Sequence, residues 1–343
     1  MYRRTLWDEF TSSKDSLRYV WIVIMLSSLL QSCTGFFQKP DQAVIREPGH
    51  RVYGSPVPVS QEATKHWEFA ALSEAAYAKT AGADPDDRHA PLAGTSEPTD
   101  SLAKTEVTGT CPAVEDVLRE AKWQRWADFP DDELSKALLE SNLRVQVWER
   151  HDPPAVAVAF GGTVFTSGKD WKSNLRWFIP HHKDEYTQIV DVLGPAFVVR
   201  FLQRLEEPGE AHLKHADLFA TGHSLGGGLA QQFAYSLPRS PLVPRVAQVY
   251  AFDPSPVTGY YSVDAETRDS NKMGLKIDRI FEREEVLAAV RSIMSIVYPP
   301  SKVDPSIRTI RYSLFYTINL IAGHSIKDLA CKLYLAREPS AAH

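Results

Sequence analysis

Residues Ala216 to Leu229 read ADLFATGHSLGGGL: an apolar run, then Gly222-His223-Ser224-Leu225-Gly226, then small residues that can open a helix. A strand that turns sharply into a helix around G-x-S-x-G is the nucleophile-elbow pattern. The turn forces Ser224 into a strained conformation. Glycine is needed two residues before and two after it, because side chains there would strike the neighbouring strand and helix. The bland alternative is a glycine-rich turn with an inert serine. Outward from the motif, strand and helix patterns alternate. Asn142–Trp148 and Ala155–Phe160 read as strands joined across Asp152-Pro153-Pro154, Asp184–Leu205 as a long helix, His215–Thr221 as a strand and Leu225–Leu237 as a helix. The strands Val246–Phe252, Lys276–Glu282 and Ile307–Tyr312 follow, with helices at Glu284–Ile296 and Ser325–Leu335. This alternation predicts an α/β fold: a mostly parallel sheet with helices on both faces.

A serine hydroxyl is a weak nucleophile until a base takes its proton. In elbow enzymes the chain order is serine, acid, histidine. Of eleven histidines only His324 and His343 follow Ser224, and His343 is the final residue, so order selects His324. The acid must lie between them, at a strand end where loops converge on the serine. Asp264, Glu266 and Asp269 fall in a polar loop, Asp278 lies inside a strand and Asp304 sits in a proline-flanked loop. Glu282 is a further candidate; Asp253 ends one strand, and Glu284 and Glu285 end the next. Glu285 is the preferred acid and Asp253 the second choice. Carboxylates at a helix start also suit the dipole without any further role.

The 343 residues are 43% hydrophobic and 24% charged, with a formal net charge of −5. A sizeable core is possible, and one domain with insertions accommodates the length. No long Lys/Arg run marks a nucleic-acid footprint. Cysteines stand only at 33, 111 and 331, with no Cys/His cluster at metal-ligand spacing, so no metal cofactor is implied and any metal would need oxygen ligands.

The apolar run Tyr19–Leu30 follows Arg3, Arg4, Lys14 and Arg18 and is too short for an ordinary membrane span, the outline of a secretory signal. Leu30-Gln31-Ser32-Cys33 then resembles the lipobox of bacterial lipoproteins, which implies cleavage before Cys33 and lipidation of that residue. A membrane-anchored protein of the bacterial cell envelope follows as an expectation. Residues 1–32 would be the signal peptide. Residues 33–61, with Pro40, Pro48, Pro56 and Pro58, read as a tether. Residues 62–343 would form the folded body, with a helix from Trp67, a polar loop near 81–110, and helical patterns at Val114–Trp126 and Asp131–Leu139. Cys111 and Cys331 would then meet an oxidising compartment, either as one disulfide or as two separate buried cysteines.

The stretch Ala157-Val158-Ala159-Phe160-Gly161-Gly162-Thr163, followed by Asp170-Trp171, Asn174-Leu175 and ATGHSLGGGLA, resembles the class three (fungal-type) lipases of the α/β-hydrolases, over roughly Trp67 to Leu335. The resemblance implies an α/β-hydrolase-type sheet, no cofactor, and oxyanion-hole amides at Thr163 and Leu225. Gly161 departs from the arginine common in the family's R-G-T motif. The family's acid, usually an aspartate in a motif like N-D-x-V-P, falls in RIFEREEVL at Glu284 or, one residue on, at Glu285; Glu285 is retained. A lid is expected over Phe165–Pro180, which carries Phe165, Trp171, Trp177 and Phe178. The activity implied is hydrolysis of carboxylic esters of lipids through an acyl-enzyme. The alternative is a non-catalytic lipid-binding or structural envelope lipoprotein on the same fold.

Overall fold

The computed structural model describes residues 41–78, 110–141, 143–162, 184–255, 258–282, 304–314 and 325–338. The first half of the described chain holds β1 (Gln42–Arg46), β2 (Val57–Pro58), α1 (Val59–Ala75), α2 (Val114–Glu120), β3 (Gln124–Arg125), α3 (Asp132–Glu140), β4 (Arg144–His151) and β5 (Pro154–Gly161). Then come α4 (Asp184–Gln188), a π-helical turn (Ile189–Leu193), α5 (Gly194–Leu205), a 3₁₀ turn (Glu210–His215), β6 (Asp217–His223) and α6 (Leu225–Ser236). The remainder comprises β7 (Val246–Phe252), α7 (Ala265–Asn271), β8 (Lys276–Glu282), β9 (Ser306–Tyr312) and α8 (Ile326–Ala336).

The strands form one sheet in the order β2-β1-β9-β8-β7-β6-β5-β4-β3. Strands β5 to β9 run parallel, and antiparallel strands flank them on both sides. A parallel strand is buried on both faces, so its residues must be apolar throughout. Strand β5 satisfies this with a division of sizes. Val156, Val158 and Phe160 face α5 and α6, while Ala155, Ala157 and Ala159 face α1. The small alanines let α1 approach closely enough for Ser73 Oγ to lie 2.7 Å from Thr221 Oγ1 on β6. One face of the sheet thus carries α5 and α6, the other α1, α2 and α8. The mostly parallel α/β architecture expected from the sequence is present.

Several boundaries differ from the sequence reading. The tether expected over 33–61 contains β1, which pairs with β9 from Ala43↔Tyr312 to Arg46↔Thr309, and also the start of α1. Only Ala43 of β1 is buried, so edge pairing rather than hydrophobic burial places it, and an apolar pattern gives no sign of it. The expected helix over 114–126 stops at Glu120. Lys122 takes φ 60°, and Gln124–Arg125 pair with β4. The expected helix over 184–205 is interrupted by the π turn just before Gly194-Pro195. Proline has no N–H and crowds the carbonyl four residues back, so the regular ladder cannot pass through it.

Along β8 and β9 a buried polar network fastens α1 to the sheet. His66 Nδ1 lies 2.7 Å from Tyr312 Oη and His66 Nε2 lies 3.2 Å from Asp278 Oδ2. Arg308 donates to both Asp278 (3.3 Å) and Glu62 (2.9 Å). Burial raises the Glu62 carboxyl, but the Lys65 hydrogen bond and the nearby Arg308 and His66 outweigh it and hold it below its ordinary value. Cys111 and Cys331 are joined in a disulfide with Cα atoms 5.4 Å apart, tying the approach to α2 onto α8 across a separation of 220 residues. Among the described residues, no helix is long and apolar enough to cross a membrane.

Candidate active site

Ser224 sits between β6 and α6, at the carboxyl end of a central parallel strand, the edge where open α/β sheets place their ligands. Its backbone has φ 57° and ψ −122°. These are the angles of the first central residue of a type II′ turn, a position that normally requires glycine. The surroundings hold it there. Ser224 N–H donates to Phe252 O on β7 (2.9 Å), and Ser224 O accepts from Gly227 N–H (3.1 Å) and Ser255 N–H (2.9 Å). The flanking glycines are required by space. A Cβ on Gly222 would lie 2.4 Å from Gly226 O, and one on Gly226 would lie 2.3 Å from Phe160 O. Both obstacles are backbone, so no rotamer change relieves them. This is the elbow geometry read from the sequence.

Leu225 opens α6, and the first N–H groups of a helix have no intrahelical acceptor and carry the positive end of the dipole. Its main chain therefore faces the serine's end of the sheet with donor character. Opposite it, β5 ends at Gly161-Gly162. A Cβ on Gly161 would come within 2.7 Å of Ala76 O. An arginine there, as in the R-G-T pattern, would push back the backbone after α1, which accounts for the glycine. Next to Gly162 stands Tyr77, which sequence reasoning missed. Its hydroxyl lies 2.9 Å from His223 Nδ1, donates to His223 O at 3.3 Å, and fills the space where a Cβ on Gly162 would fall, at 2.4 Å. Burial pushes the Tyr77 phenol well above its usual range, so it stays protonated and braces the residue before the nucleophile. Nothing in the sequence marks Tyr77, because the contact depends on how α1 ends over the sheet.

The structure narrows the acid. Asp278 lies inside β8, short of its carboxyl end, and is bound to His66 and Arg308. Asp264 caps α7 through Thr267 N–H, which together with its side-chain bond to Thr267 holds its carboxyl below the ordinary value. Asp269 pairs with Lys272 at 2.8 Å, and Asp304 accepts from Gly274 N–H. Both oxygens of Glu282 accept from Leu314 N–H (3.0 and 3.2 Å), fastening the end of β8 to the segment after β9. Asp253 directly follows β7, is fully buried, has φ 40°, and accepts from Glu282 N–H at 3.3 Å while its own N–H donates to Ile280 O. It lies at the correct end of the sheet. Thr163, Glu284, Glu285, His324, Cys33 and the expected lid over Phe165–Pro180 lie outside the described residues. Ser325, adjacent to His324, caps α8 by accepting from Asp328 N–H at 3.3 Å.

A second constellation was not visible in the sequence. Glu149 and His151 on β4 and His212 on the 3₁₀ turn bring one ligand atom each to within 4.8 Å of one another. No ligand spacing in the sequence marks the pair, because the two histidines are 61 positions apart and meet only through the sheet.

Sheet and elbow together define a mostly parallel α/β protein with helices on both faces and a serine on a strained strand-to-helix turn. No protein-family model matches the chain, and no curated protein matches it. Among solved structures it is similar to a fungal lipase in an inhibitor complex, at 14% identity over 69% of this chain and 73% of that one, with a TM-score of 0.35. It is also similar to Rhizomucor miehei lipase in its propeptide complex, at 15% identity over 69% of this chain and 63% of that one, TM-score 0.36. A third is a triacylglycerol lipase whose catalytic centre is a serine protease triad, at 14% identity over 71% and 76%, TM-score 0.38. At these values the strand order and the elbow carry the argument.

Proposed function

We propose that the chain is a serine hydrolase of carboxylic esters, acting on lipid esters through an acyl-enzyme at Ser224. The observation that carries this reading is the strained backbone of Ser224, held by Phe252, Gly227 and Ser255 where glycine would be easier. Such strain persists only where surrounding structure over-determines it, and it concentrates at functional sites. In the proposed reaction Ser224 Oγ forms a bond to the ester carbonyl carbon as its proton passes to His324. The oxyanion is held by the N–H groups of Thr163 and Leu225, donors of a kind worth about 10²–10³ in rate each. Collapse breaks the carbon–oxygen bond to the alcohol, which takes the proton from His324, and water then releases the acid by the same steps in reverse. Glu285 would hold the imidazole tautomer and stabilise the imidazolium. The lipid preference rests on the sequence resemblance alone.

The proposed location is the bacterial cell envelope, with the chain anchored in the outer membrane or at a periplasmic membrane face through a lipidated Cys33. The Leu30-Gln31-Ser32-Cys33 sequence supports it, and the Cys111–Cys331 disulfide supports an oxidising compartment. Fluorophosphonate labelling tests the chemistry. The wild type should be labelled and Ser224→Ala should not, with unchanged circular dichroism, and p-nitrophenyl esters of increasing chain length would then define the acyl preference. Labelling that persists in Ser224→Ala would remove Ser224 as the nucleophile.

A further inference from the structure

At the amino ends of the parallel strands, opposite Ser224, the β4–β5 hairpin meets the 3₁₀ turn that leads into β6. His212, on that turn, has a side chain only 10% exposed. Both of its ring nitrogens are buried, and neither has a hydrogen-bond partner among the described residues. A buried imidazole left so has lost its water without gaining hydrogen bonds that offset the loss. Its neighbours are carboxylates held just beyond hydrogen-bonding range. Glu149 Oε2 is 3.9 Å from His212 Nε2, and Glu210 Oε2, also buried without a hydrogen bond, is 3.8 Å from Nδ1. The second histidine, His151, stacks on His212 with ring centroids 3.8 Å apart, and its Nε2 is 4.0 Å from Glu149 Oε1.

We infer that Glu149, His151 and His212 form a binding site for a divalent zinc-class ion. Two imidazoles and a carboxylate are a donor set that suits Zn²⁺ and leaves a fourth position for water. In a tetrahedral site with bonds near 2.0 Å, neighbouring ligand atoms stand about 3.3 Å apart. The three ligand atoms, one from each residue and now within 4.8 Å of one another, therefore draw together by up to about 1.5 Å on binding. His151, half exposed at the hairpin end, is the side chain that turns. The supporting shell is already in place. Arg204 donates to Glu149 Oε1 (2.8 Å) and Glu210 Oε1 (2.7 Å), and Trp126 Nε1 donates to Glu149 Oε2 (2.7 Å). Arg204 also offsets part of the negative charge of the two carboxylates. With His212 Nε2 on the ion, Nδ1–H faces Glu210, the carboxylate–histidine–metal arrangement that fixes a ligand's tautomer. The ion clamps the edge hairpin to the turn that precedes the nucleophile strand, and it takes no part in the chemistry at Ser224.

The test uses the full chain with its disulfide intact, treated with chelator and titrated with zinc chloride by calorimetry, with thermal melting in parallel. One zinc per chain should bind and raise Tm by mass action, while magnesium chloride should do neither. His151→Ala, at a half-exposed position, should weaken zinc binding at least tenfold and remove the Tm rise, and His212→Asn should do the same. Ser224→Ala should bind zinc as the wild type does, which separates this site from the hydrolase reading. No saturable zinc binding, or binding that survives His151→Ala undiminished, overturns the inference.

Discussion

The elbow makes a stability prediction independent of any substrate: Ser224→Gly should be more stable than Ser224→Ala. Both variants lose the hydroxyl, so their difference isolates the backbone. At φ 57°, ψ −122° a residue with a Cβ stores strain of about 1–3 kcal/mol, which alanine keeps and glycine releases. Glycine gains additional freedom in the unfolded chain, which costs about 0.4–1 kcal/mol. The balance favours glycine by about 0.5–2 kcal/mol. For a chain of this size that corresponds to a Tm higher by roughly 1–6 °C, or to a shifted urea midpoint at unchanged m-value. At an ordinary turn or helix start the order reverses, because glycine is then the costlier residue. Ser224→Gly melting below Ser224→Ala would show that the serine's conformation is not strained, and the elbow argument would fall.

Four further outcomes follow from the same packing. Gly226→Ala, with its Cβ 2.3 Å from Phe160 O, should cost about 1–3 kcal/mol by denaturation and lower ester hydrolysis by about a hundredfold, since the elbow must shift. Gly209→Ala, at φ 94° but with nothing near its Cβ, should leave activity intact. Breaking the Cys111–Cys331 disulfide by Cys331→Ala opens a loop of about 220 residues, for which chain entropy sets a ceiling of about 5 kcal/mol; an unchanged denaturation midpoint would refute this. Glu74 is partly buried, and burial, opposed by Lys327, raises its carboxyl to about 7. The folded state therefore binds the extra proton, and stability is lost as pH rises from about 4.5 through 7. Solvent screening reduces this to about 1 kcal/mol, and Glu74→Gln should flatten that part of the pH–stability profile measured by urea unfolding.

Where the sequence was informative, local pattern and global fold agreed. The elbow strand was expected to end at Thr221 and runs to His223, because Gly222 and His223 continue the parallel ladder opposite Ala251 and Phe252. Glycine there signals crowding beneath α6 rather than the end of a strand. Elements without an apolar period were harder to read. Strand β1 is held by backbone pairing to β9, and the bend at Lys122 uses a left-handed residue that is not glycine. The π turn depends on a single proline, which the helical period on either side conceals.

The site divides along the same line. Ser224 announces itself because strain demands glycines at fixed offsets, and sterics are local. Its partners act through space, so chain order could select His324 by elimination but could only rank the carboxylates. The structure ranks them further by occupation. Asp278, Asp264, Asp304 and Glu282 are each committed to holding a helix, a turn or a strand end. Asp253 is engaged as well, through Glu282 N–H, but sits at the same end of the sheet as Ser224, and Glu284 and Glu285 lie outside the described residues. Asp253 presents its carboxylate to Glu282 N–H, across the same strand end from which Glu285 continues. An aspartate in this place fixes where the chain leaves β8. Asp253→Asn should therefore disturb the placement of Glu285 and reduce kcat while fluorophosphonate labelling of Ser224 persists. With Glu285 as the proposed acid, Glu285→Gln should lower kcat by orders of magnitude and slow labelling in parallel. If Asp253→Asn slows labelling as much as it slows turnover while Glu285→Gln does neither, the acid is Asp253.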